Sequence, residues 1–128
     1  MRDELIGLAT AAREHARAPY SNFRVGAALR SADGKVYTGC NVESASYGLS
    51  MCAERVALFK ALSEGAAAFE EIAVVTDGRG IAPPCGSCRQ LLWEYCGDIA
   101  VRLHSMKGQD EDCKLSDLLP HPFDHSNL

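Results

Sequence analysis

Nothing in this chain is apolar for the roughly 18 consecutive residues that a membrane-spanning helix takes. Its opening residues, Met1-Arg2-Asp3-Glu4, carry acids where a secretion or transit peptide carries basic and apolar residues. A cytoplasmic location without a membrane partner is therefore expected. An excess of basic charge is also missing: 13 Lys and Arg face 17 Asp and Glu, for a net charge of −4. Phosphate backbones are gripped by Lys and Arg, so a nucleic-acid polymer is a poor partner, whereas a small neutral ligand is not excluded. No internal repeat breaks the chain. Its 128 residues suffice for one core, and a single domain over 1–128 is expected. What the chain does have is cysteine, six in all. Without a secretion signal, reduced thiols are a better expectation than three disulfides.

Leu5, Leu8, Ala9, Ala12 and Ala16 recur at helical spacing, which predicts an amphipathic helix from Asp3 to Arg17, stopped by Pro19. Phe23 to Leu29 alternates as a strand. Asp33-Gly34 is a hairpin turn signal, and Lys35 to Val42 returns antiparallel. Gly26 and Gly39, inside these strands, point to a bulge or to close approach by something else. Ala53 to Leu62 is rich in helix formers. Glu71 to Thr76 is a short apolar run suited to a buried strand. A Gly/Pro-rich loop, Asp77 to Pro84, leads to a second helix around Arg89 to Tyr95. Ile99 to Leu103 is another strand, Lys107 to Lys114 a polar loop, and Leu115 to Leu119 a helical turn. The order α-β-β-α-β-α-β-α predicts the α/β class: a three-layer α-β-α sandwich with a mixed sheet, made of an antiparallel hairpin plus a parallel βαβαβ run.

Three of the cysteines sit where the two middle helices begin. A helix N-terminus offers unpaired N–H groups and partial positive charge, which favour thiolate, the metal-binding form. Cys85 and Cys88 have the spacing of a zinc-ligand pair, and Cys52 can supply a third ligand from the other helix. Three protein ligands leave one tetrahedral position open, the mark of a catalytic rather than a structural zinc. Glu54, two residues after Cys52, is placed to act as general acid and base. Asn41 and Glu43 share a face by the period of two, and an amide beside a carboxylate can hold a pair of hydroxyls. Both can equally be solvated loop residues.

A ligand-x-Glu followed by Pro-Cys-x-x-Cys is the signature of zinc-dependent nucleobase deaminases. With Cys52-Ala53-Glu54-Arg55, Pro84-Cys85-Gly86-Ser87-Cys88-Arg89-Gln90 and Gly39-Cys40-Asn41-Val42-Glu43 in place, the chain resembles the cytidine deaminases of the small homotetrameric class. The resemblance runs from Ala18-Pro19-Tyr20-Ser21 to Leu118-Leu119-Pro120. It implies a deaminase-like fold and hydrolytic deamination of cytidine and deoxycytidine to uridine and deoxyuridine with release of ammonia, a step of pyrimidine salvage. It implies one zinc per subunit on Cys52, Cys85 and Cys88, with Glu54 shuttling protons. It further implies that Asn41 and Glu43 hold the ribose hydroxyls, that Phe23 packs near the pyrimidine, and that the Ala53 backbone meets the base. Tyr47 and Phe123 match positions that enter a neighbouring subunit's site, and Arg55 matches an arginine that donates to ligand sulfur. Whether Arg24 or Arg89 also tunes the metal is open.

Other readings share parts of the motif. Cys85-Gly86-Ser87-Cys88 also looks like a redox dithiol opening a helix. Cys40, Cys96 or Cys113 would complete a closed four-cysteine structural zinc site, although each also reads as a core cysteine. Blasticidin-type and polymer-acting deaminases share the zinc motif, but Asn41-x-Glu43 and the following Ser44-Ala45-Ser46-Tyr47 favour a ribonucleoside, and the acidic balance disfavours polymers. His15, His104, His121 and His125 lack ligand spacing to the cysteines and read as solvated.

Overall fold

The computed structural model describes residues 2–78, 80 and 82–127, with the side chains of Arg2, Asp3 and His125 outside the description. Its elements run α1 (Arg2–Arg13), β1 (Val25–Ser31), β2 (Val36–Cys40), a 3₁₀ turn (Tyr47–Leu49), α2 (Ala53–Ser63), β3 (Phe69–Thr76), α3 (Gly86–Cys96), β4 (Ala100–Ser105), β5 (Asp110–Lys114), α4 (Leu115–Leu118) and a last 3₁₀ turn (His125–Asn127). Five strands form one sheet in the order β2-β1-β3-β4-β5. The β1 strand is antiparallel to both β2 and β3, β3 is parallel to β4, and β5 is antiparallel to β4. The β2, β3 and β4 strands therefore point the same way, as the expected βαβαβ run requires, with β1 inserted between the first two. The mixed sheet and the α/β class are as the sequence predicts.

Central β3 explains the layers. Ile72 and Val74 join Ala27, Leu29, Ala57, Leu58 and Leu92 in a core shared with α2 and α3. Their neighbours Ala73 and Val75 face the other way and pack with Leu5, Ala9 and Ala28 under α1. A strand covered on both faces must be apolar throughout, which is why its sequence is a run rather than an alternation. Burying about a dozen such side chains stabilises by roughly 1.5–3 kcal/mol each before chain entropy is counted.

Gly26 and Gly39 make close approaches to helices. A Cβ on Gly26 would lie 2.0 Å from the Ala9 carbonyl oxygen in α1, and one on Gly39 would lie 2.5 Å from the Ala53 carbonyl oxygen in α2. Each glycine lets a helix backbone rest directly on the sheet.

Several boundaries differ from expectation, among them that of β2, which ends at Cys40 rather than Val42. The first helix ends at Arg13, not Arg17: three-residue turns close Glu14 to Ala16, and the Arg17 N–H then donates to the Asn41 carbonyl at 2.9 Å. The strand begins at Val25, leaving Phe23 and Arg24 in the loop before it. The stretch Lys107 to Lys114 is not all loop. After a turn at Gly108 (φ 95°) it forms β5, an edge strand of Asp110, Glu111, Asp112, Cys113 and Lys114. Charge on an edge prevents further pairing, and it also erases the apolar alternation by which a strand is read. Among the described residues no helix is long and apolar enough to cross a membrane.

Candidate active site

Cys52 and Cys85 are the N-cap residues of α2 and α3, both with extended backbone, and Cys88 stands three positions into α3. The two helix starts meet at the end of β3, so thiols 33 residues apart in sequence converge. The Cys85 Sγ lies 3.7 Å from Cys52 Sγ and 3.4 Å from Cys88 Sγ. All three sulfurs fall within 4.8 Å of one another. Tetrahedral thiolate ligation at a zinc–sulfur distance of about 2.3 Å sets sulfurs about 3.8 Å apart, so the trio fits that ion.

The electrostatics also call for a cation. Cys52 is lowered to about 5, chiefly by the neighbouring Cys88 thiol and, against burial, by the Arg55 guanidinium. Cys88 is pushed up by the neighbouring Cys52, then by burial and by the charge of Glu54. The pair thus divides into a thiolate and a thiol. A dication among the sulfurs is what allows both to ionise. Arg55 Nη2 donates to Cys52 Sγ at 3.4 Å, while its buried Nε has no protein partner.

Glu54 stands in the first turn of α2, and only 5% of it is exposed. Burial raises its carboxyl to about 7, with the Cys52 charge adding to the rise and Arg55 opposing it. A carboxyl near neutrality both gives and takes protons efficiently.

A cavity of about 310 Å³ opens on this group, and its walls include Phe23, Asn41, Glu43, Cys52, Ala53, Glu54 and Cys85. Phe23 is held from behind: a Cβ on Gly78 would lie 3.2 Å from its ring. Asn41 accepts from the Val25 N–H at 2.9 Å and donates to the Phe23 carbonyl at 2.8 Å, so it also fixes the start of β1. One amide hydrogen and one lone pair of Asn41 remain for a ligand. Glu43 accepts from the backbone N–H groups of Tyr20 and Ser21, at 3.0 and 3.1 Å, and from the Ser21 hydroxyl. These donors, the hydroxyl first, hold its carboxyl below the usual range. Ala53 opens α2, where the N–H has no partner within the helix.

Tyr47 does not reach that cavity. It is 79% exposed and lines an adjoining hollow of about 340 Å³ that shares Ser21, Glu43 and Ser50 with it. Phe123, 59% exposed, lies on the C-terminal tail, whose carbonyl at that residue accepts from Gln90 Nε2 at 2.5 Å. Arg24 and Arg89 are occupied elsewhere. Arg24 pairs with Asp77 and Glu14, and Arg89 donates to the carbonyls of Pro84 at 2.6 Å and Leu118 at 2.9 Å, pinning the approach to Cys85. Among the described residues, Cys40, Cys96 and Cys113 are not in the thiol cluster. Burial pushes Cys96 up to about 12 and raises Cys113 as well, as fits packed thiols. His15 and His121 are exposed, whereas His104 is half-buried and its Nδ1 lies 2.6 Å from Asp110. The side chain of His125 lies outside the described residues.

Sequence reasoning missed Ser21, Ser50 and Thr76, which also border the cavity. Only Thr76 carries a signal, as the lone hydroxyl closing an apolar run.

Three convergent thiols, a buried carboxyl beside them and a cavity over both define a metal-dependent hydrolytic centre on an α-β-α sandwich. The chain belongs to the family described as the cytidine and deoxycytidylate deaminase zinc-binding region, whose model matches residues 1–102. Its relatives include a cytidine deaminase of Sporosarcina psychrophila, 46% identical over 98% of this chain and 93% of that one. A cytidine deaminase of Halalkalibacterium halodurans is 51% identical over 95% and 93%. The crystal structure of a cytidine deaminase from Burkholderia pseudomallei superposes with a TM-score of 0.93 at 52% identity, covering 96% of this chain and 99% of that one. Zinc is accordingly the cofactor of the three-cysteine site.

Proposed function

We propose that the protein is a cytidine deaminase, hydrolysing cytidine and deoxycytidine to uridine and deoxyuridine with release of ammonia. The observation that carries this reading is the buried Glu54 carboxyl in the wall of a cavity it shares with two of three clustered thiols. Zinc, held by Cys52, Cys85 and Cys88, supplies a Lewis acid that makes water nucleophilic near neutral pH. Glu54 takes the proton of the attacking water and delivers it to N3 of the pyrimidine, so that C4 accepts the attack. It then takes the second proton of that water and passes it to the amine, which leaves as ammonia. One carboxyl serves both ways because it is ionised when it takes the proton and protonated when it gives it up.

The other residues bind and orient. Phe23 packs against the ring, the Ala53 N–H meets the base, and Asn41 and Glu43 hold the ribose hydroxyls. Arg55 keeps Cys52 ionised and offsets the negative charge of a three-thiolate site. The whole of 1–128 acts as one deaminase domain: β5 and α4, beyond the matched residues, pair with β4 and send Leu115 into the core. Four chains assemble, with Tyr47 and Phe123 completing a neighbour's site. Supporting this are the exposed aromatics at both positions and exposed Tyr20 and Leu49 nearby in the fold. The cluster needs reduced thiols, which accords with a cytoplasmic role in pyrimidine salvage.

The test is the fall in cytidine ultraviolet absorbance on adding protein, with Glu54→Gln run beside it at equal zinc content. The wild type should convert cytidine to uridine. The variant should bind zinc and lose turnover by about 10,000-fold, the upper end for an acid–base group that serves twice. Near-normal turnover in the variant would show that Glu54 is not the shuttle. A silent wild type with zinc bound would move the search to modified pyrimidines.

A further inference from the structure

Thr76 is the last residue of β3, and only 3% of it is exposed. Its backbone is fully employed: it pairs with Val25 and Ser105 across the sheet, and its carbonyl accepts from the Met106 N–H at 2.9 Å. Its hydroxyl is not, since buried Oγ1 has no hydrogen-bond partner in the protein. By strand alternation Thr76 shares a face with Ile72 and Val74, the face covered by α2 and α3. It therefore stands beside the helix starts that carry Cys52, Glu54 and Cys85, and it lines the same cavity. A hydroxyl buried in that way costs free energy unless something pairs with it.

The sheet also says which part of a ligand lies nearest. Asn41, Val25 and Thr76 stand side by side at the ends of β2, β1 and β3: the Asn41 N–H donates to the Val25 carbonyl, and Val25 is the register partner of Thr76. Asn41 neighbours Glu43, at the hydroxyl-binding end. Thr76 closes the row at the opposite end, next to the loop through Ala82 and Pro83 that delivers Cys85. We infer that Thr76 is a substrate-binding residue whose hydroxyl hydrogen-bonds the polar substituent at C4 of the pyrimidine. This rests on the deaminase reading above. A hydroxyl suits that position chemically, because it rotates. It accepts from the exocyclic amine of cytidine and donates to the carbonyl oxygen that replaces it in uridine. A carbonyl or an amide N–H fixed at the same place would serve only one of the two.

The experiment compares wild type, Thr76→Val and Thr76→Ser at matched zinc content, reading kcat and KM for cytidine, Kd for uridine by calorimetry, and Tm. Valine keeps the volume and removes the hydroxyl; serine keeps the hydroxyl. Loss of one neutral hydrogen bond predicts a fall of about tenfold in kcat/KM and a similar weakening of uridine binding in Thr76→Val. Thr76→Ser should stay within about twofold, and Tm of Thr76→Val should be unchanged or higher, since an orphan hydroxyl has gone. Wild-type kinetics and uridine affinity in Thr76→Val would overturn the inference. So would a Thr76→Ser variant as impaired as Thr76→Val, or a large drop in Tm, since either marks a packing role. If the wild type itself leaves cytidine intact, the deaminase reading fails first, and the comparison of variants is not what failed.

Discussion

In the proposed mechanism, Arg55 is the residue on which the chemistry of three thiolates turns. Zinc with three thiolate ligands carries a net charge of −1, which weakens it as a Lewis acid. Nη2 of Arg55 donates to Cys52 Sγ at 3.4 Å, and its charge also acts on Cys88, so this side chain is placed to offset negative charge on two of the three thiols. Helix starts at Cys52 and Cys85 add partial positive charge but no full unit. Arg55→Ala should keep the fold and lower kcat by about 10- to 100-fold, the usual effect of losing an outer partner of a metal ligand. The alkaline shift of the kcat–pH profile is the sharper readout, since a poorer Lewis acid needs higher pH to make water nucleophilic. Turnover and profile both unchanged at equal zinc would remove Arg55 from the mechanism.

At the level of elements, the site depends on how closely α2 rests on β2. A Cβ on Gly39 would come within 2.5 Å of the Ala53 carbonyl oxygen and 2.7 Å of the Ala57 nitrogen. Both belong to the first turns of the helix whose N-cap is Cys52. Gly39→Ala must lift that helix start, and with it Cys52 and Glu54. Gly26→Ala makes as severe a contact, 2.6 Å from the Arg13 nitrogen, but against α1 on the far face. Both should lower Tm by about 5 °C or more, as overpacking by a methyl against backbone does. Only Gly39→Ala should also lose zinc, measured per folded protein by atomic emission; full zinc content there would break the link between strand contact and metal site. The sequence let these glycines be read as close approaches, but not which helix approached. The same limit runs through the rest. The ligand trio and Glu54 were legible because helix starts and short spacings are local. The run of β3 was legible because burial on both faces forces it. The β5 strand was not, because a charged edge carries no apolar period. Nor were the grip of Tyr20 and Ser21 on Glu43 or the tie from Asn41 to Phe23, since these join loops 18 to 23 residues apart and leave no pattern in either.

For the whole molecule, the question is why one chain leaves so much apolar surface uncovered. Tyr47 is 79% exposed and Leu49 72%, on a 3₁₀ turn beside a hollow that shares Glu43 with the main cavity. The proposed site, completed by a neighbouring copy, would account for both the exposure and the open hollow. It also makes a prediction no single-chain site makes. Tyr47→Ala should be nearly inactive although its own Glu54 and zinc ligands are intact, and Glu54→Gln is inactive by itself. Co-assembled in equal amounts, a Tyr47→Ala chain keeps Glu54 while a Glu54→Gln neighbour supplies Tyr47. Random assembly of symmetric copies then restores both groups to about a quarter of the sites. Activity of the mixed assembly well above the mean of the two parents, in a species eluting at four times the 13.8 kDa of the chain, is the expected result. Activity equal to that mean would mean that each chain works alone, and an active Tyr47→Ala parent would mean that Tyr47 belongs to no site at all.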